Sequence, residues 1–236
     1  MKRFYKKTGV AESDGGWRVL LDGRGIKTAG GRPQIVPTRA LAEALAAEWA
    51  AQGEEIAAWG FVLRDLADYA IDVIADDPAE AIRAILPYGE TDTLCYRADP
   101  GEALLRRQEE RWEPLLTAAE ARFDVHFERV SGIIHRPQPA ATLKRLETLL
   151  SGQDAFALAA IRTLASLAAS LVVALAAIAP QADAPALWDA ANLEEDWQAE
   201  LWGKDAEAEA RRANRLASFL AAVRFAALVR GDSPQG

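Results

Sequence analysis

The change of hydrophobic period at Pro37–Thr38 constrains this chain more than any other feature. Before it, short apolar runs are punctuated by glycine turns. Asp14-Gly15-Gly16 and Asp22-Gly23 flank Trp17-Arg18-Val19-Leu20-Leu21, and Gly30-Gly31-Arg32-Pro33 precedes Gln34-Ile35-Val36, which reads as a set of hairpins. After it, the apolar spacing is helical: Thr38 stands as an N-cap, Leu41, Leu45 and Trp49 recur every fourth residue, and Gly53 ends the segment. Further helices fit residues 63–75, 78–86, 102–122, 140–150, 154–178, 185–201 and 205–229, with a short strand at 125–130. The expected fold class is therefore α+β. A small β-rich N-terminal domain over residues 1–60 is followed by a larger all-helical domain over 61–236, with 154–178 as its central helix.

The composition is that of a globular protein, half hydrophobic and 26% charged. A net charge of -8 argues against nucleic acid as a partner, because phosphate binding needs a basic footprint. The single cysteine, Cys95, excludes an internal disulfide framework. His126 and His135 lack a helical partner or acids at ligand spacing, so no metal site is expected. The glycines of Gly23-Arg24-Gly25 do not match a phosphate loop, and no serine sits in a nucleophile elbow. No cofactor is expected, and the lack of a nucleophile, base and oxyanion set favours a binding protein over an enzyme. Residues 159–179 are long enough to span a bilayer and carry only Arg162. They are built on alanine with Thr163, Ser166 and Ser170, however, and lack aromatic belts, so a core helix is expected and no membrane insertion. The N-terminus shows no secretory signal, which fits a cytoplasmic bacterial protein or one processed after import. Residues 231–236 read as a frayed tail.

The segment Leu193-Glu194-Glu195-Asp196-Trp197-Gln198-Ala199-Glu200-Leu201-Trp202-Gly203 breaks the usual pattern. On one continuous helix over 184–203, Leu187, Ala190, Leu193, Trp197 and Leu201 share a face, and Asp189, Asp196 and Glu200 lie opposite. Glu194 and Gln198 fall within the apolar arc, with Trp202 and Trp188 at its edge. A lone buried carboxylate there would cost several kcal/mol, roughly. Three roles stay open: a core acid paired elsewhere in the fold, a partner-facing acid in an aromatic-lined groove, or a catalytic acid. The last helix carries acids early and Lys204, Arg211, Arg212, Arg215, Arg224 and Arg230 mostly later, a distribution that the helix dipole explains without a binding patch.

Several stretches, in order along nearly the whole chain, resemble one family. They are Arg3-Phe4-Tyr5-Lys6-Lys7, Leu21-Asp22-Gly23-Arg24 with Lys27-Thr28, and Val36-Pro37-Thr38 with Ala47-Glu48-Trp49 and Gln52. Glu90-Thr91-Asp92-Thr93-Leu94-Cys95-Tyr96-Arg97 follows, then Trp112-Glu113-Pro114-Leu115, and Leu193-Glu194-Glu195 through Gln198 to Trp202-Gly203. The chain resembles the Atp-twelve family, assembly chaperones for the alpha subunit of the F-type ATP synthase catalytic head. It departs at Gly60-Phe61-Val62-Leu63-Arg64, where Arg64 replaces the small hydroxyl residue of a Met-Pro-Leu-Thr type element.

The resemblance implies a non-enzymatic, monomeric chaperone that binds the unassembled alpha subunit transiently, in the bacterial cytoplasm or, in eukaryotic relatives, the mitochondrial matrix. It implies partner-binding residues Glu194, Glu195, Gln198 and Trp202, and structural motif residues Trp49, Thr91, Asp92, Tyr96 and Arg97. The alternative is a small-molecule enzyme using Glu194 or Asp92 as acid or base, with a deep polar pocket around that acid.

Overall fold

The computed structural model describes residues 1–132, 136–203 and 205–231. His135, Lys204 and the tail 232–236 lie outside the described residues. The α+β class expected above holds. A β-sheet comes first, with β1 (Thr8–Ser13), β2 (Gly16–Leu21) and the two-residue edge strand β3 (Arg24–Gly25) in antiparallel order β1-β2-β3. The helices follow: α1 (Arg39–Ala50), α2 (Val62–Tyr69), α3 (Pro78–Ile85), α4 (Pro87–Glu90), α5 (Ala103–Phe123), α6 (Ala140–Ser151), α7 (Ala155–Ala168), α8 (Leu171–Ala177), α9 (Ala184–Ala191), α10 (Leu193–Trp202) and α11 (Ala206–Arg230). Between α4 and α5 lies β4 (Tyr96–Arg97), which pairs in parallel with β5 (Val130–Ser131). No helix among the described residues is long and apolar enough to cross a membrane.

The chain forms two compact units. The first holds Met1–Pro78, Asp154–Ala160 and Ala221–Gly236, and the second Ala79–Gln153 and Ile161–Leu220. In the first unit, the predicted glycine turns close the sheet. Asp22 and Gly23 both take positive φ, as a tight β2–β3 turn requires. Gly16 is required for a different reason: a Cβ there would lie 2.3 Å from the Val36 carbonyl oxygen, where Trp17 and Val36 exchange backbone hydrogen bonds. Thr38 caps α1 through a bond from the Leu41 amide, and α1 lays Leu41, Leu45 and Trp49 on β1 and β2.

Phe61 offers α2 no side-chain cap. The cap comes instead from Glu48 on α1, whose carboxylate accepts the Leu63 and Arg64 amides at 2.7 and 2.9 Å. Burial raises the Glu48 pKa, and these two bonds oppose the shift. Beyond α2 a π-helical turn, Ala70–Ile74, carries Asp72 to the loop at 28–32. Asp72 accepts from Thr28 Oγ1 and the Gly30 amide, each at 2.7 Å, while Asp68 accepts from the Ala29 amide and from Gln34.

Trp49 closes an aromatic cluster, with ring centroids 5.5 Å from Tyr5 and 4.5 Å from Phe61, and Arg64 stacks over both Trp49 and Phe61. The Trp49 indole Nε1 is buried without a hydrogen-bond partner among the described residues. Trp49→Phe therefore loses volume but no hydrogen bond and should cost only about 1–2 kcal/mol in urea denaturation. A larger loss would mean that the indole N–H holds a buried water.

The expected central helix over 154–178 divides. α7 stops at Ala168, Ala169 adopts a left-handed backbone (φ 48), and Ser170 restarts the chain as the N-cap of α8. The expectation of a buried core segment holds on both sides of the break, since Ile161, Leu164, Leu171, Val173 and Ala174 are all fully buried. The predicted strand at 125–130 shrinks to Val130–Ser131. Side chains take the backbone amides that a ladder would use: His126 N–H bonds Thr142, Phe127 N–H bonds Glu120, and Glu128 N–H bonds Gln138.

Candidate functional site

The helix expected over 185–201 also breaks, at Asn192. The Asn192 backbone (φ −105, ψ 17) is not helical, and its side-chain amide donates to the Trp188 carbonyl at 2.9 Å. α9 buries its apolar face, Leu187, Trp188 and Ala190, and Trp112 Nε1 donates to the Ala190 carbonyl at 2.7 Å to hold it there. α10 buries only Leu193. A single unbroken helix would give the arc of Glu194, Gln198, Leu201 and Trp202 the same facing as the buried face of α9, but the break turns it outward: all four are exposed, Leu201 at 57% and Trp202 at 78%. A wheel drawn through Asn192 assigns that arc the environment of α9.

Asp196 and Glu200, expected on a solvated face, are clamped by arginines, and so is Glu195. Arg107 reaches both Glu200 oxygens at 3.0 and 2.8 Å while stacking on Trp197. Arg212 meets Asp196 at 2.6 Å, and Arg215 meets Glu195 at 3.2 Å. These links fix α10 against α5 and the first turns of α11. Glu194 differs. Its Oε1 accepts from the neutral amide Gln108 Nε2 at 2.7 Å, and no arginine reaches it among the described contacts. Protein packed around the carboxyl group raises its pKa, and the Gln108 bond opposes that shift.

Gln108 is itself fully buried, and its Oε1 accepts the Ala98 amide at 2.7 Å, so it is held at both ends. The sequence reading missed this partner. A signal was present, because Gln108 is the polar member of the buried α5 stripe that continues through Trp112, Leu116 and Ala119. Carbon-13 NMR should show Glu194 titrating above the ordinary glutamate range. A midpoint at or below the free value would show that its carboxyl group is fully hydrated.

Glu195, Gln198 and Trp202 come together with Ala199, Asp205 and Arg212 around a largely apolar groove of about 240 Å³ between α10 and the start of α11. The other named residues lie elsewhere. Asp92 is completely buried, with Oδ1 accepting the Leu94 amide at 3.1 Å and Oδ2 the Val172 amide at 2.9 Å. It therefore plugs the N-terminus of α8, and burial lifts its pKa to about 6. With its oxygens engaged and no solvent access, it offers nothing to a substrate.

Thr91 is exposed and donates to the Pro87 carbonyl, closing α4. Tyr96 lies in β4 opposite Val130. Arg97, nearly buried, bonds Glu113 at 3.0 Å and stacks on Trp112. Cys95 is fully buried, and burial pushes its thiol pKa up, which makes it inert. His126 does have acid neighbours, contrary to the sequence reading. Glu120 is 3.2 Å away and Glu128 3.8 Å, but Glu120 is also held by Arg129. Among the described residues no group of three or more His, Cys, Asp and Glu stands ready for a metal.

Against known proteins, the sequence pattern of the ATP12 chaperone protein family matches residues 2–120. The chain belongs to the ATP12 chaperone family. Among solved structures, Atp12 from Paracoccus denitrificans is 39% identical and superposes with a TM-score of 0.92 over 97% of this chain and 98% of that one. A mutant form of the same Paracoccus denitrificans protein matches equally well. The mitochondrial protein atp12 of Schizosaccharomyces pombe is 26% identical over 214 residues, 86% of this chain and 74% of its own length. The ATP12 pattern covers Trp49 and the Thr91–Arg97 element but ends before α10, which only the longer matches reach.

Proposed function

We propose that this protein is an assembly chaperone for the F-type ATP synthase catalytic head, binding the unassembled alpha subunit through the outer face of α10. It would keep that subunit soluble until a beta subunit displaces it. In this reading the protein acts as a monomer in the bacterial cytoplasm, catalyses no reaction and needs no cofactor. Membership of the ATP12 chaperone family supports the class of activity. The contact surface rests on one observation: α10 exposes Leu201 and Trp202 on the same face as Glu194, whose partner is neutral. Apolar contact supplies affinity, and a carboxylate not already neutralised by an arginine supplies discrimination. Glu195, Gln198 and Trp202, around the adjoining groove, extend the same surface.

Mixing the purified protein with isolated alpha subunit tests this. Light scattering should fall in its presence, size exclusion should show a mixed complex, and added beta subunit should release the chaperone. An alpha subunit that aggregates at an unchanged rate would remove the assignment. Trp202→Ala deletes an exposed side chain, so stability should stay within about 0.5 kcal/mol of wild type. Its affinity for the alpha subunit should drop by roughly tenfold or more, read by fluorescence anisotropy, because aromatic anchors dominate interfaces.

A further inference from the structure

A second surface, wholly within the first compact unit, has the chemistry of a binding site. A cleft of about 490 Å³ is floored by Phe4, Tyr5, Leu21, Ile26 and Trp49 and rimmed by Arg24, Lys27 and Arg64, with Asp22 the one acid among its described lining residues. Phe4 is 64% exposed although its ring packs edge-on against Tyr5 at 5.4 Å and Trp49 at 6.5 Å. An exposed aromatic held in place by other aromatics is a prepared contact surface.

The charges are biased in the same direction. The Asp22 carboxylate already accepts the Lys6 amide at 3.1 Å and the Lys7 amide at 2.8 Å. Arg24 and Lys27 are exposed and have no carboxylate partner among the described residues. Arg64 also lines the cleft, but it is paired with Asp68 at 3.5 Å, so the unpaired positive charge comes from Arg24 and Lys27. Residues 1–37 carry eight Lys and Arg against three Asp and Glu, in a chain whose net charge is -8. A basic patch on an acidic protein attracts anions that the rest of the surface repels.

We propose that this cleft docks an acidic peptide segment bearing an aromatic or large apolar side chain, independently of the α10 surface. The cations on the rim select carboxylates. A purely polar anion would leave the aromatic floor wet. Arg24 and Gly25 belong to the edge strand β3, whose backbone gives a partner with its own main chain further hydrogen bonds. That favours a peptide over a free organic acid.

The test is fluorescence anisotropy on the full chain with the labelled peptide Asp-Phe-Glu-Leu-Asp, its lysine counterpart Lys-Phe-Lys-Leu-Lys, and unlabelled benzoate as competitor. The acidic peptide should bind saturably and weaken as salt rises. The double variant Arg24→Glu with Lys27→Glu should weaken it by roughly tenfold or more, and Phe4→Ala should weaken it without changing its salt dependence. All three residues are exposed, so thermal melts should match wild type. Lys144→Glu, in the second unit, should change binding by less than about twofold. Equal binding of both peptides, full competition by benzoate, or indifference to the double charge reversal would each overturn the proposal.

Discussion

Asp92→Ala should lower the stability of this protein by about 3–5 kcal/mol, equivalent to roughly 6–20 °C in Tm. Asp92 is wholly buried and accepts the Leu94 and Val172 amides, so alanine strands two buried donors at about 1–3 kcal/mol each and leaves a small void. The damage should concentrate at the break between α7 and α8. There Thr93 also donates to the Ala169 carbonyl, by Oγ1 at 2.9 Å and by its amide at 3.1 Å, so hydrogen exchange at residues 171–174 should rise first. Asp92→Asn keeps only one of the two acceptors but does not titrate, so it serves as the pH-independent reference. The Asp92 pKa lies near 6 in the folded protein against 3.8 as the ordinary value, raised first of all by desolvation.

Because the folded pKa is the higher one, the folded state holds the proton more tightly. The contribution is fully present below about pH 4 and is lost as the pH climbs through 6. Two pKa units at about 1.4 kcal/mol each amount to roughly 3 kcal/mol. The difference in unfolding free energy between wild type and Asp92→Asn should fall by that amount from pH 4 to pH 6, then stay flat to pH 8. A difference that is flat throughout would show that the carboxylate charge is fully compensated by its donors.

Much of the architecture was legible in the sequence because it rests on local rules. Asp22-Gly23 supplied the positive φ of its turn, Thr38 the cap of α1, and the four-residue spacing of Leu41, Leu45 and Trp49 its buried face. Both failures of helix reading are interruptions that tertiary contacts stabilise. Ser170 looks like one more small residue in an alanine-rich run until Asp92 and Thr93, some 80 residues earlier, satisfy the amides and carbonyl that the break exposes. Asn192 is equally unremarkable until its side chain is seen closing α9 while its Oδ1 accepts from Arg215 of α11 at 3.2 Å. Local periodicity likewise carries no sign that residues 154–160 and 221–231 join the unit that begins the chain.

The same limit explains the α10 reading. The wheel sets Glu194 apart as a carboxylate among apolar neighbours, but it cannot say which way a helix turns after a break. The arginines that clamp its sister acids come from α5 and α11, distant in sequence. Removing those clamped acids from the account leaves Glu194, with Gln108 as its neutral partner, as the carboxylate on the open face.

Glu194→Lys should abolish protection of the alpha subunit while leaving the protein folded. The residue is exposed, and a lysine at the same place can extend its ammonium group into water. The lost bond from Gln108 then costs no more than about 1–2 kcal/mol. At an interface with a client the same change acts differently. A carboxylate that is desolvated on binding is replaced by a cation facing whatever group had paired with it, and disrupting one such pair typically costs about 2–5 kcal/mol. That corresponds to a loss of roughly 30-fold or more in affinity.

Glu194→Gln retains the shape and an acceptor for Gln108, so it should be intermediate in binding and within about 1 kcal/mol of wild type in stability. Glu147→Lys, on the exposed surface of α6, makes the same change in net charge away from α10 and should bind normally. Thermal melts run beside the light-scattering assay distinguish the possibilities. If Glu194→Lys unfolds, the acid serves the fold through Gln108 and the α5 stripe. If it melts normally yet still protects the alpha subunit as wild type does, the outer face of α10 is not where the client binds.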